Sequence, residues 1–220
     1  MSATAFPVVL AAPSGTGKTT LAQRLVGESD RFVFSISVTT RPPRAGERDG
    51  IDYFFVEPAR FDEMAASGEL VEWAEVHGRL YGTPRAAVED AAARGEHVVL
   101  DIDVQGARQI RKALPEAMLL FVLPPDVETL LARLAGRGTE EPSEVARRLR
   151  SAREELQAVP EFDYVVVNDD LDRCLGLIRG IVEGGWSSPS GDRHPKHVET
   201  LLADIGRVLD EDYATYTEVT

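Results

Sequence analysis

In the stretch VVLAAPSGTGKTTLAQRL, residues 8 to 25, a short apolar run passes through a glycine-bearing loop straight into a helical pattern. A buried strand, a tight loop and a helix in immediate succession are what a phosphate-binding loop requires. The backbone N–H groups of Ser14, Gly15, Thr16, Gly17 and Lys18 can wrap a phosphate at the helix N-terminus, where their dipoles favour negative charge. Lys18 can reach outer phosphates, and the Thr19 hydroxyl can ligate Mg²⁺. Ala12 stands where the usual pattern has its first glycine, and its small side chain still lets the strand turn into the loop.

Further apolar runs rich in β-branched residues recur at Phe32–Ser35, Val98–Leu100, Met118–Leu123 and Tyr164–Asn168. Helical periods lie between them, as in Val145, Leu149, Ala152 and Leu156. Five near-continuous apolar strands alternating with helices predict an α/β fold, a doubly wound five-stranded parallel sheet with helices on both faces. Residues 38–84 break the rhythm with short aromatic segments and many turn residues, and read as a small β-rich insertion into a core of 1–37 and 85–182. Trp73 is expected in the small core of that insertion. A polar GRGTEEP interruption sits between two helices, and residues 136–150 are expected to form a mobile lid. Residues 183–220 read as a linker followed by one amphipathic helix, His197 to Leu209.

Two features carry chemistry beyond the loop. In HVVLDID, Asp101 and Asp103 point the same way at a strand's C-terminal end, where parallel sheets hold ligands. In SISVTTRPPRAGERDGIDYFF, Pro42 and Pro43 stiffen the segment carrying Arg41 and Arg44, which suits a preset anion clamp, although a solvated basic turn is the plainer reading. The whole chain has 37 acidic and 24 basic residues, a net charge of -13, so a duplex nucleic-acid partner is disfavoured and a small phosphorylated ligand fits. The start MSATAFP lacks the features of a secretory signal, no apolar run predicts a membrane span, and the single cysteine, Cys174, belongs to the apolar face of a helix. A reduced, cytoplasmic setting is expected. The four histidines form no metal-ligand pattern.

The stretches APSGTGKTT, SISVTTRPPRAGERDGIDYFF, ELVEWAEVHGRLYGTP, LDIDVQG, GRGTEE and VVVNDDLD, in this order and spacing, resemble guanylate kinases over residues 6 to about 182. The resemblance implies transfer of the γ-phosphoryl group of ATP to GMP, giving ADP and GDP, in purine nucleotide metabolism. It implies that ATP lies on Ala12, Pro13, Ser14, Gly15, Thr16, Gly17, Lys18, Thr19 and Thr20, with Asn168 near the adenine. Arg41, Arg44, Tyr53 and Tyr81 would hold the phosphate of GMP, and Ser37, Glu72, Thr83 and Asp103 would read its guanine, with Asp101 beside them. Lys18, Arg41, Arg137, Arg148 and Asp101 are the implied catalytic set, and Mg²⁺ would be held by Thr19 and, through water, by Asp101.

Guanine offers N1–H and an exocyclic amine as adjacent donors, which suit carboxylates, whereas adenine presents a lone pair at N1. From pattern alone, however, Glu72 in ELVEW reads as a polar residue on an alternating surface strand, and Arg137 as a solvated turn residue. A related kinase acting on a sugar phosphate would have no donor pair for Glu72 and Asp103 to read. A non-catalytic module binding phosphorylated peptides would have no use for the intact GTGKTT and GRGTEE segments.

Overall fold

A computed structural model describes residues 5–76, 78–136, 141–184 and 194–216. In chain order the first half holds strand β1 (Val8–Ala11), helix α1 (Lys18–Gly27), β2 (Phe32–Phe34), β3 (Val38–Thr39), β4 (Phe54–Phe55), α2 (Pro58–Ser67), β5 (Leu70–Val76), β6 (Arg79–Pro84) and α3 (Arg85–Arg94). The second half holds β7 (His97–Asp101), α4 (Val104–Ala113), β8 (Met118–Leu123), α5 (Val127–Leu134), α6 (Pro142–Gln157), β9 (Tyr164–Val167), α7 (Leu171–Val182) and α8 (Pro195–Glu211).

Five strands form a parallel sheet of order β2-β7-β1-β8-β9, and four others form a second sheet of order β4-β3-β6-β5. By packing, the chain divides into two compact units, Met1–Leu10 with Ala22–Leu119, and Ala11–Leu21 with Leu120–Thr220.

In the first unit, Val8, Val9 and Leu10 of β1 are wholly buried, each worth about 1.5–3 kcal/mol relative to exposure. In parallel register, β1 sets Val8 opposite Val99 and Leu10 opposite Asp101, which leaves Asp101 at the C-terminal end of β7. The smaller sheet has its own core of Val38, Phe61 and Leu70, with Val56, Met64 and Leu80 against it. Trp73 does not join that core. It is 44% exposed and meets the edge of the Phe61 ring at 6.4 Å, because α2 supplies Phe61 to fill the space instead.

The pairing of β5 with β6 carries a β-bulge. Leu70 faces Pro84, but Glu72 already faces Thr83, so one extra residue is absorbed between them. As a result Leu70, Val71 and Glu72 are all buried in succession, and the simple in-out alternation of a strand fails here.

In the second unit, the predicted periodicity of α6 is realised: Val145, Leu149, Ala152 and Leu156 are buried. The tail helix α8 starts two residues before the predicted span, with Pro195 in its first turn. It buries Leu201, Ile205, Val208 and Leu209 and packs on α5 and α6. Cys174 lies on the buried face of α7, where burial pushes its thiol up to about 12, so it is a core side chain and not a nucleophile. No helix among the described residues is long and apolar enough to cross a membrane.

Candidate active site

On leaving β1 the chain enters the glycine-bearing loop. Gly15 and Gly17 have φ of +85° and +93°, conformations that side chains rarely adopt, and a Cβ would be crowded at both. A Cβ on Gly15 would lie 3.1 Å from Leu134, and one on Gly17 would lie 2.9 Å from the Asn168 amide nitrogen. The Thr16 N–H donates to the Pro13 carbonyl at 3.1 Å, and the Leu21 N–H donates to Gly17 at 3.1 Å, which opens α1.

The loop is held from behind through one atom. The Thr16 carbonyl accepts from Asn168 Nδ2 at 2.7 Å and from Arg133 Nη1 at 2.9 Å. Because a carbonyl only accepts, its partner on Asn168 has to be the amide nitrogen. Arg148, on α6, donates to the Ser14 hydroxyl at 2.6 Å and to the Leu134 carbonyl at 3.0 Å, so a guanidinium stands at the rim of the loop. Lys18 and Thr19 occupy the first turn of α1, and Thr19 is exposed. Arg137 lies outside the described residues, as does His77.

The basic loop of the first unit is also ordered by specific bonds. The Thr39 hydroxyl accepts the Arg41 N–H at 3.1 Å, and the Arg41 guanidinium lies over the Tyr53 ring at 5.2 Å and the Phe55 ring at 5.8 Å. Its Nη1 and Nη2 donate in parallel to the two oxygens of Glu47, at 3.0 and 2.8 Å, and Nη1 donates again to the Pro42 carbonyl at 3.0 Å. Glu47 also accepts the Arg44 N–H at 2.7 Å, so one carboxylate ties both arginines together.

The bond to Glu47 raises the Arg41 pKa above the usual arginine value, and the same bond lowers that of Glu47. The Tyr53 and Tyr81 rings meet edge to face at 6.1 Å. Burial, followed by the charge of Asp101, raises the pKa of Tyr53. Tyr53 sits one residue ahead of β4, and the Ser37 carbonyl receives the Phe54 N–H at 2.9 Å just before β3.

Glu72 follows the bulge in β5, is 4% exposed and accepts from the Thr83 hydroxyl at 2.6 Å. A buried carboxylate is costly unless its oxygens are satisfied, and the Thr83 hydroxyl satisfies one of them. Asp103 caps α4, its Oδ1 accepting the Gly106 N–H at 2.8 Å. The sequence pointed to each of these residues but missed Glu47 and Arg133. The only signals were an acid inside a basic loop and a lone arginine in the apolar run LLARL.

Among the described residues no group of three or more His, Cys, Asp and Glu side chains could enclose a metal ion. His97 is a core residue, its ring edge-on to Phe6 at 4.4 Å.

Comparison with known proteins identifies the family. The family model described as guanylate kinase matches residues 4–184. The guanylate kinase of Symbiobacterium thermophilum is 47% identical over 206 residues, covering 93% of this chain and 96% of that protein. That of a Synechococcus species is 52% identical over 171 residues, covering 78% of this chain and 90% of that protein. The crystal structure of guanylate kinase from Anaplasma phagocytophilum superposes with a TM-score of 0.70 at 29% identity, covering 96% of this chain and 97% of that one. With a glycine loop pinned at Thr16, a basic loop ordered around Arg41 and these relatives on record, the chain belongs to the guanylate kinase family, which phosphorylates GMP to GDP at the expense of ATP.

Proposed function

We propose that the two ordered loops divide the work of this phosphoryl transfer, the glycine loop serving ATP and the region from Ser37 to Thr83 serving GMP. The observation that carries the acceptor assignment is the buried Glu72 carboxylate bonded to Thr83. A buried acceptor of this kind suits the N1–H and amine of guanine, and it would face the lone pair of adenine without a partner. Asp103, with one oxygen used in capping, offers its other oxygen to the base, and Ser37 adds a polar edge.

For the acceptor's phosphate, the inventory of the Arg41 guanidinium is informative. Glu47 and Pro42 use three of its five N–H groups, Nη1 twice and Nη2 once. The side edge formed by Nε and Nη2 is then the one directed to the 5′-phosphate, with Arg44, Tyr53 and Tyr81 completing the cradle.

On the donor side, the N–H groups of the loop, Lys18, Arg148 and Arg137 neutralise the charge that spreads over the transferred group. Asn168 serves ATP by fixing the loop, beside the adenine position that the resemblance gives it. A phosphate oxygen of GMP attacks the γ-phosphorus as the bond to the β-phosphate bridging oxygen breaks, and ADP leaves with that electron pair. No general base is needed, because the attacking oxygen is already ionised.

The donor set fits Mg²⁺, which keeps its waters and takes few protein ligands beside substrate phosphates. Here an exposed Thr19 hydroxyl opens α1 and no closed carboxylate cage stands among the described residues. Thr19 would hold the ion directly and Asp101 through water. Bound there, Mg²⁺ supplies charge neutralisation to the ATP phosphates.

Residues 38–84 are assigned to the acceptor-binding part and about 136–150, of which 137–140 lie outside the described residues, to a lid, with the cytoplasm as the site of action and no nucleic-acid partner. Measuring ADP release with GMP, AMP, CMP and a panel of sugar phosphates tests the acceptor assignment. GMP should be preferred by at least about 10³-fold over AMP, on the scale of sites built around a buried polar group. Equal turnover of GMP and AMP would remove Glu72 as the selecting group.

A further inference from the structure

Gly106 stands inside α4 with an ordinary helical backbone, so its conformation does not call for glycine, and alanine would be the better helix former. What the missing side chain leaves is space for Glu72. A Cβ at Gly106 would lie 2.6 Å from Glu72 Oε2, 3.2 Å from Glu72 Cδ and 3.3 Å from Ile102 Cδ1. No carboxylate oxygen can stay at the first of these distances.

One turn further on, Gln109 meets the same strand. β5 is the outermost strand of the four-stranded sheet, and an outer strand presents unpaired backbone groups. The carboxamide of Gln109 engages them at Trp73, the residue next to Glu72. Oε1 accepts the Trp73 N–H at 3.2 Å, and Nε2 donates to the Trp73 carbonyl at 2.6 Å. Asp103, Gly106 and Gln109 are spaced by three, so they share one face of α4, the face that packs along β5.

We propose that Gly106 and Gln109 are positioning residues for guanine recognition: the gap at Gly106 sets how deep the Glu72 carboxylate rests against α4, and Gln109 fixes the strand that carries it. The inference rests on the reading of Glu72 as the group that selects the base. Neither residue need touch the substrate.

The test is Gly106→Ala, assayed for melting temperature and for steady-state kinetics with GMP, AMP and ATP. The melting temperature should stay level or rise, since alanine suits the helix and the atom it meets is the end of a side chain. The KM for GMP should rise about tenfold and the preference for GMP over AMP should shrink by a similar factor, while kcat at saturating GMP and the KM for ATP move less than about twofold. Glu72→Asp withdraws the carboxylate by one methylene and makes room, so on that background Gly106→Ala should add less than about twofold.

An unchanged GMP KM and preference in Gly106→Ala, or the same loss on both backgrounds, would overturn the proposal. If Gly106→Ala lowers soluble yield, Gln109→Met decides, because it keeps the volume and deletes both bonds to Trp73. It should raise the GMP KM about threefold, and no change would overturn the proposal. Glu72→Gln separates the two layers. If it leaves the GMP preference intact, the base is read elsewhere. If it lowers that preference while Gly106→Ala does not, only the seat on α4 fails.

Discussion

Under the proposed division of labour, the glycine loop and the region around Glu72 would hold a nucleotide in opposite ways. Around the loop, side chains point at the backbone: Asn168 and Arg133 both donate to the Thr16 carbonyl, and Arg148 to the carbonyl of Leu134. The backbone is thereby fixed, with the Thr16 N–H itself spent on the Pro13 carbonyl. Around Glu72 the backbone is the frame and side chains would do the recognising, with a helix face and a hydroxyl set against one carboxylate. A phosphate is the same in every nucleotide and can be met by amides that every residue has. A base is particular and needs particular side chains, desolvated so that a wrong partner is penalised.

If the division is real, a change on the donor side should remove chemistry while sparing acceptor binding. Lys18→Ala is expected to lower kcat by about 10²–10³-fold or more, the scale seen when a preorganised charge is taken from the transition state. GMP affinity, measured by calorimetry without ATP, should change less than about twofold. Near-wild-type turnover would break the assignment of Lys18, and loss of GMP binding would break the division itself.

The acceptor side should fail in the complementary manner. Arg41→Lys keeps the charge but loses the planar fork, and the three donors of a lysine cannot make the two bonds to Glu47, the one to Pro42 and a bidentate contact with phosphate at once. GMP affinity should fall by about 1.5–3 kcal/mol, the range for a charged hydrogen bond, with ATP affinity nearly unchanged. Separate titrations with GMP and a non-hydrolysable ATP analogue measure this. Equal weakening of both ligands, or of neither, would show that Arg41 is not a dedicated acceptor clamp.

The same contrast explains what could be read from the sequence. The glycine loop is contiguous, so its strand, its turn and its helix start appear within a dozen residues, and the five strands of the large sheet show as apolar runs. Glu72 was another matter. In ELVEW a charged residue on a short strand reads as surface, and its burial comes from β6 and α4, which set Thr83 and Gly106 against it. Trp73 misled for the converse reason: a large aromatic residue reads as core, but it is 44% exposed while Phe61 fills the interior. Register against a partner strand is a tertiary property. Arg133 and Glu47 share that difficulty, since what they do depends on the Thr16 carbonyl and the Arg41 fork, which the sequence does not set beside them.

The smallest expected effect tests how the acceptor clamp is held in place. On the donor side, orientation comes from a buried bond between Asn168 and the main chain, but Arg41 is oriented by Glu47, a partly exposed carboxylate. Two consequences are conceivable for such an ion pair. The carboxylate can brace the guanidinium so that its free edge meets the phosphate, or it can occupy the fork in the phosphate's stead and have to be displaced. The inventory of N–H groups favours bracing, because Glu47 takes the Nη1–Nη2 end and leaves the side edge. Glu47→Gln retains the size and one acceptor oxygen but sets an amide N–H₂ against the arginine donors. Bracing predicts a rise in the GMP KM of about two- to fivefold, the modest scale of partly exposed ion pairs, with no change for ATP. Displacement predicts the reverse sign, a lower GMP KM, since the competing anion has gone. Because the two outcomes differ in direction, an effect this small still decides between them.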